Sequence, residues 1–406
     1  LVYRDFFDHH GFLPYYFLSL FSSDKTFLSL KLIFLLIQSL NLILFLIILK
    51  KNKLTKSHFL IFGFLYIILT YFFADQTLWY ENFILLFYLA IYLLFIYYKK
   101  NKKTDLLLGI LIAICSFIKP TAAIIILPLF FYLKDFLIMI GFLISWLAVL
   151  IFFFSQNALN QVIKNLFLFN FFISKNYPKE QIFDLSFILV IFLLLIFALL
   201  IIYKTNNKAD QTNRIVLLLF FLISSLIFPI LKYARFHLIV FVPFFLLTLA
   251  KASQEKSQLS KFFKFFILIF LIFICFKTYK QYFFNQKREV WQDNKIVKEK
   301  IMTDLKKINI EKKKILIVGD HAEIYFYLNK KPLTYFPLVF NFVPEFYKEF
   351  FYEDYYKAIS KAEILLVFKD NYLQKKLLTQ NKIKILINKQ FKKLEEKNEY
   401  EIYIKN

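Results

Sequence analysis

The sequence has few of the residues that cross-link small soluble domains or build common cofactor sites. Its 406 residues include two cysteines, five glycines and three tryptophans. Cys115 and Cys275 both lie inside apolar segments, so they predict neither a disulfide framework nor a metal site. The chain has no glycine-rich loop, and Gly319-Asp320 after a predicted strand indicates a structural turn rather than a nucleotide site.

Apolar residues are abundant instead, at 59% of the chain, and 57 residues are phenylalanine. This composition excludes an ordinary soluble domain and indicates a polytopic α-helical membrane protein. About ten apolar runs are candidates for transmembrane helices, although several are shorter than the roughly 20 residues that cross a bilayer upright. They are residues 27–49, 59–73, 83–98, 106–118, 120–133, 136–154, 185–203, 215–231, 236–250 and 262–276.

The formal net charge is +24, which in a soluble protein would point to nucleic acid as a partner. Here the lysines cluster in the connections after the first, third, seventh and ninth apolar runs. If every run crosses, these clusters share one side of the membrane, as the positive-inside rule predicts for the cytoplasm. We therefore expect no nucleic-acid partner, and we expect the opening loop and the C-terminal tail on the outer face.

Composition divides the chain into three parts. Residues 1–26 are predicted to form an outer loop with the active site, residues 27–276 the transmembrane helices, and residues 277–406 a small α/β domain outside the membrane. In the last part, residues 314–320 and 363–368 are typical of buried strands and residues 322–327 of a short helix. Residues 155–184, a predicted outer loop, mix Asn, Gln and Lys with Phe, and this mixture resembles an interfacial amphipathic segment.

The opening loop holds the densest group of reactive side chains, Asp5, Asp8, His9 and His10. A carboxylate there could accept a proton from an attacking hydroxyl, or hold a metal or phosphate, beside imidazoles that titrate near neutral pH. We take Asp5 and Asp8 as catalytic candidates and His9 and His10 as phosphate-binding candidates. The alternative is a solvated loop that only ends a helix.

Two charged residues border apolar runs elsewhere. Glu81, in the short outer turn between the apolar runs 59–73 and 83–98, is a third catalytic candidate. The alternative is a charged residue at a helix start that interacts favourably with the helix dipole. Lys119 interrupts an apolar stretch just before Pro120, and a charge at membrane depth costs about 2.5–3.5 kcal/mol. We therefore expect Lys119 to face a polar cavity and to bind phosphate.

Tyr233, Arg235 and His237 separate two apolar runs on the same predicted face. An arginine can hold a phosphate through two parallel hydrogen bonds, so these residues are further phosphate-binding candidates. The alternative is an interfacial anchor made by arginine and tyrosine.

Taken together, these segments resemble the GT-C superfamily of membrane glycosyltransferases. In particular they are similar to the bacterial branch related to protein mannosyltransferases and the lipid A aminoarabinose transferase. The matches are short but cover nearly the whole chain: Tyr3–Tyr16, Glu81, Lys119-Pro120-Thr121, Arg235–Pro243, Gly319–Tyr327, Lys331-Pro332 and Tyr335-Phe336.

The resemblance implies an enzyme of the bacterial inner membrane. It would move a sugar from a polyprenyl-phosphate carrier to a lipid, glycan or protein acceptor at the periplasmic face, by inverting displacement with a carboxylate base. Lys119, Arg235 and either His10 or His237 would neutralise the leaving phosphate. The lipid-linked sugar is the donor, no further cofactor is certain, and a divalent metal stays open.

The chain departs from the family's pattern at its start. The family's usual catalytic acid, an Asp commonly followed by Glu, precedes the segment that Tyr3–Tyr16 matches, whereas this chain begins at Leu1. We therefore expect an N-terminal truncation. Two other functions stay open: a transporter or flippase for a lipid-linked saccharide, which also needs basic residues at membrane depth, and a non-catalytic assembly subunit.

Overall fold

A computed structural model describes most of the chain, in two compact units. The helical unit consists of residues 10–156 and 178–284, and the sheet unit of residues 1–9, 157–177 and 285–406. The residues described are 11–21, 28–52, 54–74, 80–97, 101–133, 135–176, 185–205, 216, 218–226, 235–255, 258–279, 299–308, 310–319, 321–337, 343, 345–369, 377–378 and 380–406.

The described chain is largely helical. It includes short 3-10 helices at Pro120–Ile125, Arg235–Val240 and Ile310–Lys312 and a π-helix at Ile163–Leu168. The α-helices are α1 Leu13–Ser19, α2 Leu28–Lys51, α3 Lys56–Ala74, α4 Tyr80–Ile96, α5 Lys102–Ile118, α6 Ile126–Leu133, α7 Phe136–Ser155, α8 Leu159–Val162, α9 Phe169–Asn176, α10 Leu185–Thr205, α11 218–226, α12 Val242–Gln254, α13 Gln258–Tyr279, α14 299–307, α15 Glu323–Tyr327, α16 Glu345–Lys361 and α17 Asn381–Gln390.

Every predicted apolar run overlaps helical residues, but the predicted count of membrane crossings is wrong for the described part of the chain. By length and composition, three stretches could cross a membrane, Lys31–Lys51, Lys56–Phe73 and Phe136–Ser155. The run from 106 to 133 is one of those that fall short, because its helix is broken. Lys119 and Pro120 divide it into helices of 17, six and eight residues, each below the roughly 20 residues of an upright crossing.

Helices α5 and α7 approach each other closely because each presents a glycine to the other. A Cβ atom added to Gly109 would lie 2.1 Å from the Ile138 carbonyl oxygen, and one added to Gly141 would lie 2.4 Å from the Leu106 carbonyl oxygen. Small residues at such crossings let helix backbones touch. The contact holds α5 against α7, and Lys119 follows the last residue of α5.

The described residues of the sheet unit form four strands in the order β1-β2-β4-β3, and this confirms the prediction of a small C-terminal sheet. The strands are β1 Ile315–Val318, β2 Ile364–Phe368, β3 Phe391–Glu396 and β4 Tyr400–Lys405. β1 and β2 are parallel, whereas β4 pairs antiparallel with β2 and β3. All residues of β1 and β2 are buried, because α14 packs on one face of the sheet and α16 with α17 on the other.

Residues 159–176 are helical rather than a loop. α8, the π-helix and α9 follow one another without a break, and this stretch belongs to the sheet unit. The mixture of Asn and Lys with Phe hid the helix from sequence analysis, because a polar residue in it, Asn165, points inward and is buried.

Candidate active site

Lys119 lies where α5 ends and the next 3-10 helix begins. Its backbone is extended, with φ −153° and ψ 120°, because the ring of Pro120 disfavours a helical conformation in the residue before it. The Lys119 N–H donates to the Cys115 carbonyl at 3.1 Å, and its carbonyl accepts from the Ala122 N–H at 2.9 Å. The break in the helix is therefore fully hydrogen-bonded around Lys119, and it sets the direction of the lysine side chain.

Glu81 lies in the first turn of α4, and its side chain is 1% exposed. The positive end of the helix dipole favours a carboxylate in this position. The neighbouring Asn82 is tied to α2: its side-chain oxygen accepts from Gln38 at 2.7 Å, and its carbonyl accepts from the Asn41 amide at 3.0 Å. These bonds hold the turn from which Glu81 projects.

His237 lies in the 3-10 helix Arg235–Val240 that precedes α12, and it is buried. Residues 238–250, which follow it, are buried without interruption. Pro243 stands at the start of α12, a position that suits its fixed φ angle. The apolar segment therefore carries His237 into the core of the helical unit.

The three side chains meet in one cluster. The Lys119 ammonium donates to Glu81 Oε1 at 2.8 Å, and His237 Nδ1 lies 2.5 Å from the same oxygen. Lys119 Nζ is 3.2 Å from His237 Nδ1. Residues separated by 38 and 156 positions in the sequence thus share one carboxylate oxygen.

Proton placement follows from the donors and acceptors that are present. An ionised carboxylate only accepts hydrogen bonds, so the contact between Glu81 and His237 requires the imidazole proton on Nδ1. An ammonium only donates, so in that tautomer its approach to His237 Nδ1 is not a hydrogen bond. Glu81 Oε1 is therefore the common acceptor, and it holds both Lys119 and His237 in place.

The cluster is buried, so it is costly to disrupt, and a ligand can reach it only from the side of Lys119. Breaking a buried ion pair by removing one partner costs about 3–5 kcal/mol. Lys119 is the most accessible member, with 18% of its side chain exposed. Among the described residues, Glu81 Oε2 and Thr121 Oγ1 are buried without a hydrogen-bond partner. A ligand that donates a hydrogen bond to Glu81 Oε2 would satisfy a buried acceptor, which is worth about 1–3 kcal/mol.

The described end of the opening segment packs against the same part of α5. The Gly11 N–H donates to the Ile118 carbonyl at 3.0 Å, one residue before Lys119. A Cβ on residue 11 would lie 1.9 Å from the Phe117 carbonyl oxygen, so only glycine fits this contact. Tyr80, which precedes Glu81, donates through its hydroxyl to that of Tyr15 at 2.5 Å.

The structure brings together three of the candidates named from the sequence: Glu81, Lys119 and His237. Arg235 belongs to the same 3-10 helix as His237, and its backbone alone is described. The remaining candidates lie outside the described residues: Asp5, Asp8, His9, His10 and Tyr233.

Sequence analysis missed the residues that hold the site. The amides of Gln38, Asn41 and Asn82 position Glu81, and Gly11 lies against the carbonyl end of α5. Gln38 and Asn41 lie in the apolar helix α2, and Asn82 lies in the first turn of the apolar helix α4 beside Glu81. A polar side chain among apolar neighbours is expected to find a hydrogen-bond partner. That signal was present in the sequence, although it does not say which residues pair.

Glu81 and His237 fit a divalent cation poorly. The ammonium of Lys119 already lies 2.8 Å from the carboxylate oxygen and would repel a second positive charge there. Within the described parts of the chain, no group of three or more His, Cys, Asp or Glu side chains is placed to hold a metal. The arrangement instead suits an anion that accepts a further hydrogen bond from the Lys119 ammonium.

Comparison of the chain with protein-family models, curated proteins and solved structures finds no match.

Proposed function

We propose that this chain is a membrane glycosyltransferase that moves a sugar from a polyprenyl-phosphate carrier to an acceptor hydroxyl or amine. The observation that carries the proposal is the cluster in which Lys119 and His237 both contact Glu81 Oε1, at 2.8 Å and 2.5 Å. It supplies a carboxylate, an ammonium and an imidazole within hydrogen-bond distance of one another. An inverting transfer from a sugar phosphate uses a proton acceptor and hydrogen-bond donors that stabilise the leaving phosphate, and these groups can fill both roles.

In this proposal Lys119 and His237 stabilise the leaving group, polyprenyl phosphate. When the bond between the anomeric carbon and the phosphate oxygen breaks, its electron pair stays on the phosphate, which gains negative charge. Lys119 can donate to that phosphate through another of its three hydrogens while it stays bonded to Glu81, and His237 can donate through Nε2 when the imidazole carries a second proton. Fixed donors in a poorly solvated site stabilise developing charge most strongly. In the absence of substrate, Glu81 keeps both donors aligned, so little rearrangement is needed when the phosphate arrives.

In this proposal Glu81 Oε2 accepts the proton of the attacking hydroxyl. Glu81 Oε2 has no hydrogen-bond partner among the described residues, so it can accept the proton of an acceptor hydroxyl as that oxygen bonds to the anomeric carbon. The products are the glycosylated acceptor, polyprenyl phosphate and one proton, which leaves through Glu81. Asp5 and Asp8 are proposed to assist from the opening loop, with His9, His10, Tyr233 and Arg235 at the donor phosphate.

The proposal includes the protein's setting. The chain would cross the bacterial inner membrane several times, with the cluster and residues 277–406 on the periplasmic face. The three stretches that could cross a membrane support membrane association, and the lysine clusters support the orientation. Membrane lipid, the lipid-linked donor and a lipid, glycan or protein acceptor are the proposed partners.

A transporter of a lipid-linked saccharide is the second candidate. The observation that favours it is that Lys119 is already paired with Glu81, since a gate that closes on itself without a ligand would use such a pair. A transporter would bind the same phosphate with the same residues but would leave the glycosidic bond intact.

Reconstituted full-length protein separates the two functions. Proteoliposomes containing a polyprenyl-phosphate sugar labelled in the sugar, together with a membrane lipid extract as acceptor, are expected to release polyprenyl phosphate. Lys119→Met should lower that release about 100-fold, Lys119→Arg should keep part of it, and Lys102→Met, at the exposed start of α5, should change nothing. If the labelled sugar crosses the bilayer still attached to its lipid, and no polyprenyl phosphate is released, the protein is a transporter instead.

A further inference from the structure

The helical stretch 159–176 has an apolar face that is left uncovered. Five large apolar side chains on it are exposed, up to 60% in the case of Phe171. Their spacing of four, one, three and one residues places them on one side of the helix. They are Ile163, Phe167, Leu168, Phe171 and Phe172.

The opposite face of the same stretch is bound to the sheet unit. The Asn165 side-chain amide donates to the Tyr335 hydroxyl at 2.8 Å, and its oxygen accepts from the Tyr347 hydroxyl. Burial raises the pKa of Tyr335 to about 12, so that hydroxyl stays neutral. Phe169 packs edge-on against Tyr347, with ring centroids 5.7 Å apart. Buried hydrogen bonds thus fix which side of the helix faces away from the sheet unit.

Helix α16 extends the uncovered face. Phe346 and Phe350 are also exposed, and the rings of Phe172 and Phe346 lie 5.3 Å apart. Two exposed lysines, Lys164 and Lys348, belong to the same two elements. Exposed phenylalanines beside lysines are typical of helices that lie in a membrane interface, with the rings among acyl chains and the ammonium groups at lipid phosphates.

The covalent chain joins this stretch to apolar helices on both sides. α7, one of the three stretches that could cross a bilayer, ends at Ser155, and α8 begins at Leu159. Four residues span at most about 14 Å. On the other side of the stretch, α10 begins at Leu185 and contains the apolar helix Ile191–Ile202.

We propose that the uncovered face of residues 159–176, together with Phe346 and Phe350, lies in the lipid headgroup region and seats the sheet unit on the membrane surface. The occupant of the face is lipid, because the stretch is tied within four residues to a candidate crossing helix and carries the aromatic and basic side chains that lipid interfaces attract. The sheet unit follows because Asn165 joins the stretch to Tyr335 and Tyr347. This inference does not depend on the proposed reaction.

Spin labels on the full-length protein test the proposal. In a Cys115→Ala, Cys275→Ala background, single cysteines replace Phe171, Phe346 and, as the control, Lys384, an exposed residue of α17. The protein is reconstituted in vesicles of phosphatidylcholine and phosphatidylglycerol. Collision of each label with oxygen, which concentrates in lipid, is compared with collision with a water-soluble nickel chelate.

Labels at Phe171 and Phe346 are expected to favour oxygen and to lie about 5–10 Å below the lipid phosphates, whereas the label at Lys384 favours the nickel chelate. A label at Phe171 that behaves like the one at Lys384 would place the face in water and overturn the proposal. Shielding of Phe171 from both reagents would overturn it as well, since protein would then cover the face. A water-exposed label at Phe346 would show that α16 does not contact lipid and would overturn that part of the proposal.

Discussion

Replacing Glu81 by Gln is expected to lower sugar transfer about 1000-fold, because the change removes both the proton acceptor and the charge that aligns its neighbours. General base catalysis alone contributes about 10²–10⁴-fold. Glu81 Oε1 accepts hydrogen bonds from Lys119 and His237. A glutamine amide in its place presents either its oxygen, a weaker acceptor, or its NH2 group, which would face the donors of Lys119 and His237. Lys119 and His237 would then lose their common partner as well.

Polyprenyl phosphate release per folded molecule is the measurement for this variant. Counting folded molecules matters because removing one partner of a buried pair also costs about 3–5 kcal/mol of stability. Glu255→Gln is the matched control, since Glu255 is a half-buried carboxylate in the same helical unit outside the cluster, and it should keep the wild-type rate. Equal rates for the Glu81→Gln and Glu255→Gln variants would remove Glu81 from the reaction, while intact lipid movement in the Glu81→Gln variant would favour the transporter.

Replacing Gly109 by Ala is expected to destabilise the helical unit by about 3 kcal/mol. The added Cβ would lie 2.1 Å from the Ile138 carbonyl oxygen and 2.9 Å from the Phe142 nitrogen. Both neighbours are backbone atoms of α7, so they cannot rotate away, and the two helices must separate. Because α5 ends beside Lys119, activity should fall together with stability.

Gly63→Ala is the control for that substitution. Gly63 is also in the interior of a helix, α3, but the nearest atom to its added Cβ is the end of the Leu46 side chain at 3.1 Å. A side chain can shift, and alanine favours a helix by up to about 1 kcal/mol over glycine. Unfolding midpoints in detergent should therefore drop for Gly109→Ala and stay level or rise for Gly63→Ala. Equal midpoints for the two variants would contradict the close packing of α5 and α7.

The positions of the apolar helices could be predicted from the sequence, but the number of them that could cross a membrane could not. Hydrophobic runs mark helices wherever they occur. Whether a run crosses depends on where the helix breaks, and Pro120 breaks the stretch from 106 to 133 into pieces that are each too short. In the sheet unit, β1 and β2 were found because they are wholly apolar, whereas β3 carries Lys392, Lys393 and Glu395 and lacks that signal.

The candidate site was only half predictable for a related reason. Sequence analysis identified Glu81, Lys119 and His237 singly, since each is a charged or titratable residue beside an apolar run. It predicted that Lys119 binds phosphate, which stays a prediction, and it did not predict the pairing of the ammonium with Glu81. Such a pair joins residues far apart in the chain, and only the packing of α4, α5 and the 3-10 helix before α12 brings them together.

The most direct test of the central claim is equilibrium binding of polyprenyl phosphate, the proposed leaving group, to the full-length protein in detergent. Wild-type protein is expected to bind it at least about ten times more tightly than Lys119→Met, since one charge-assisted hydrogen bond is worth about 1.5–3 kcal/mol. The loss should be larger at low salt, where the attraction is less screened. Equal affinity of the two proteins for polyprenyl phosphate would contradict the assignment of this cluster as the phosphate site.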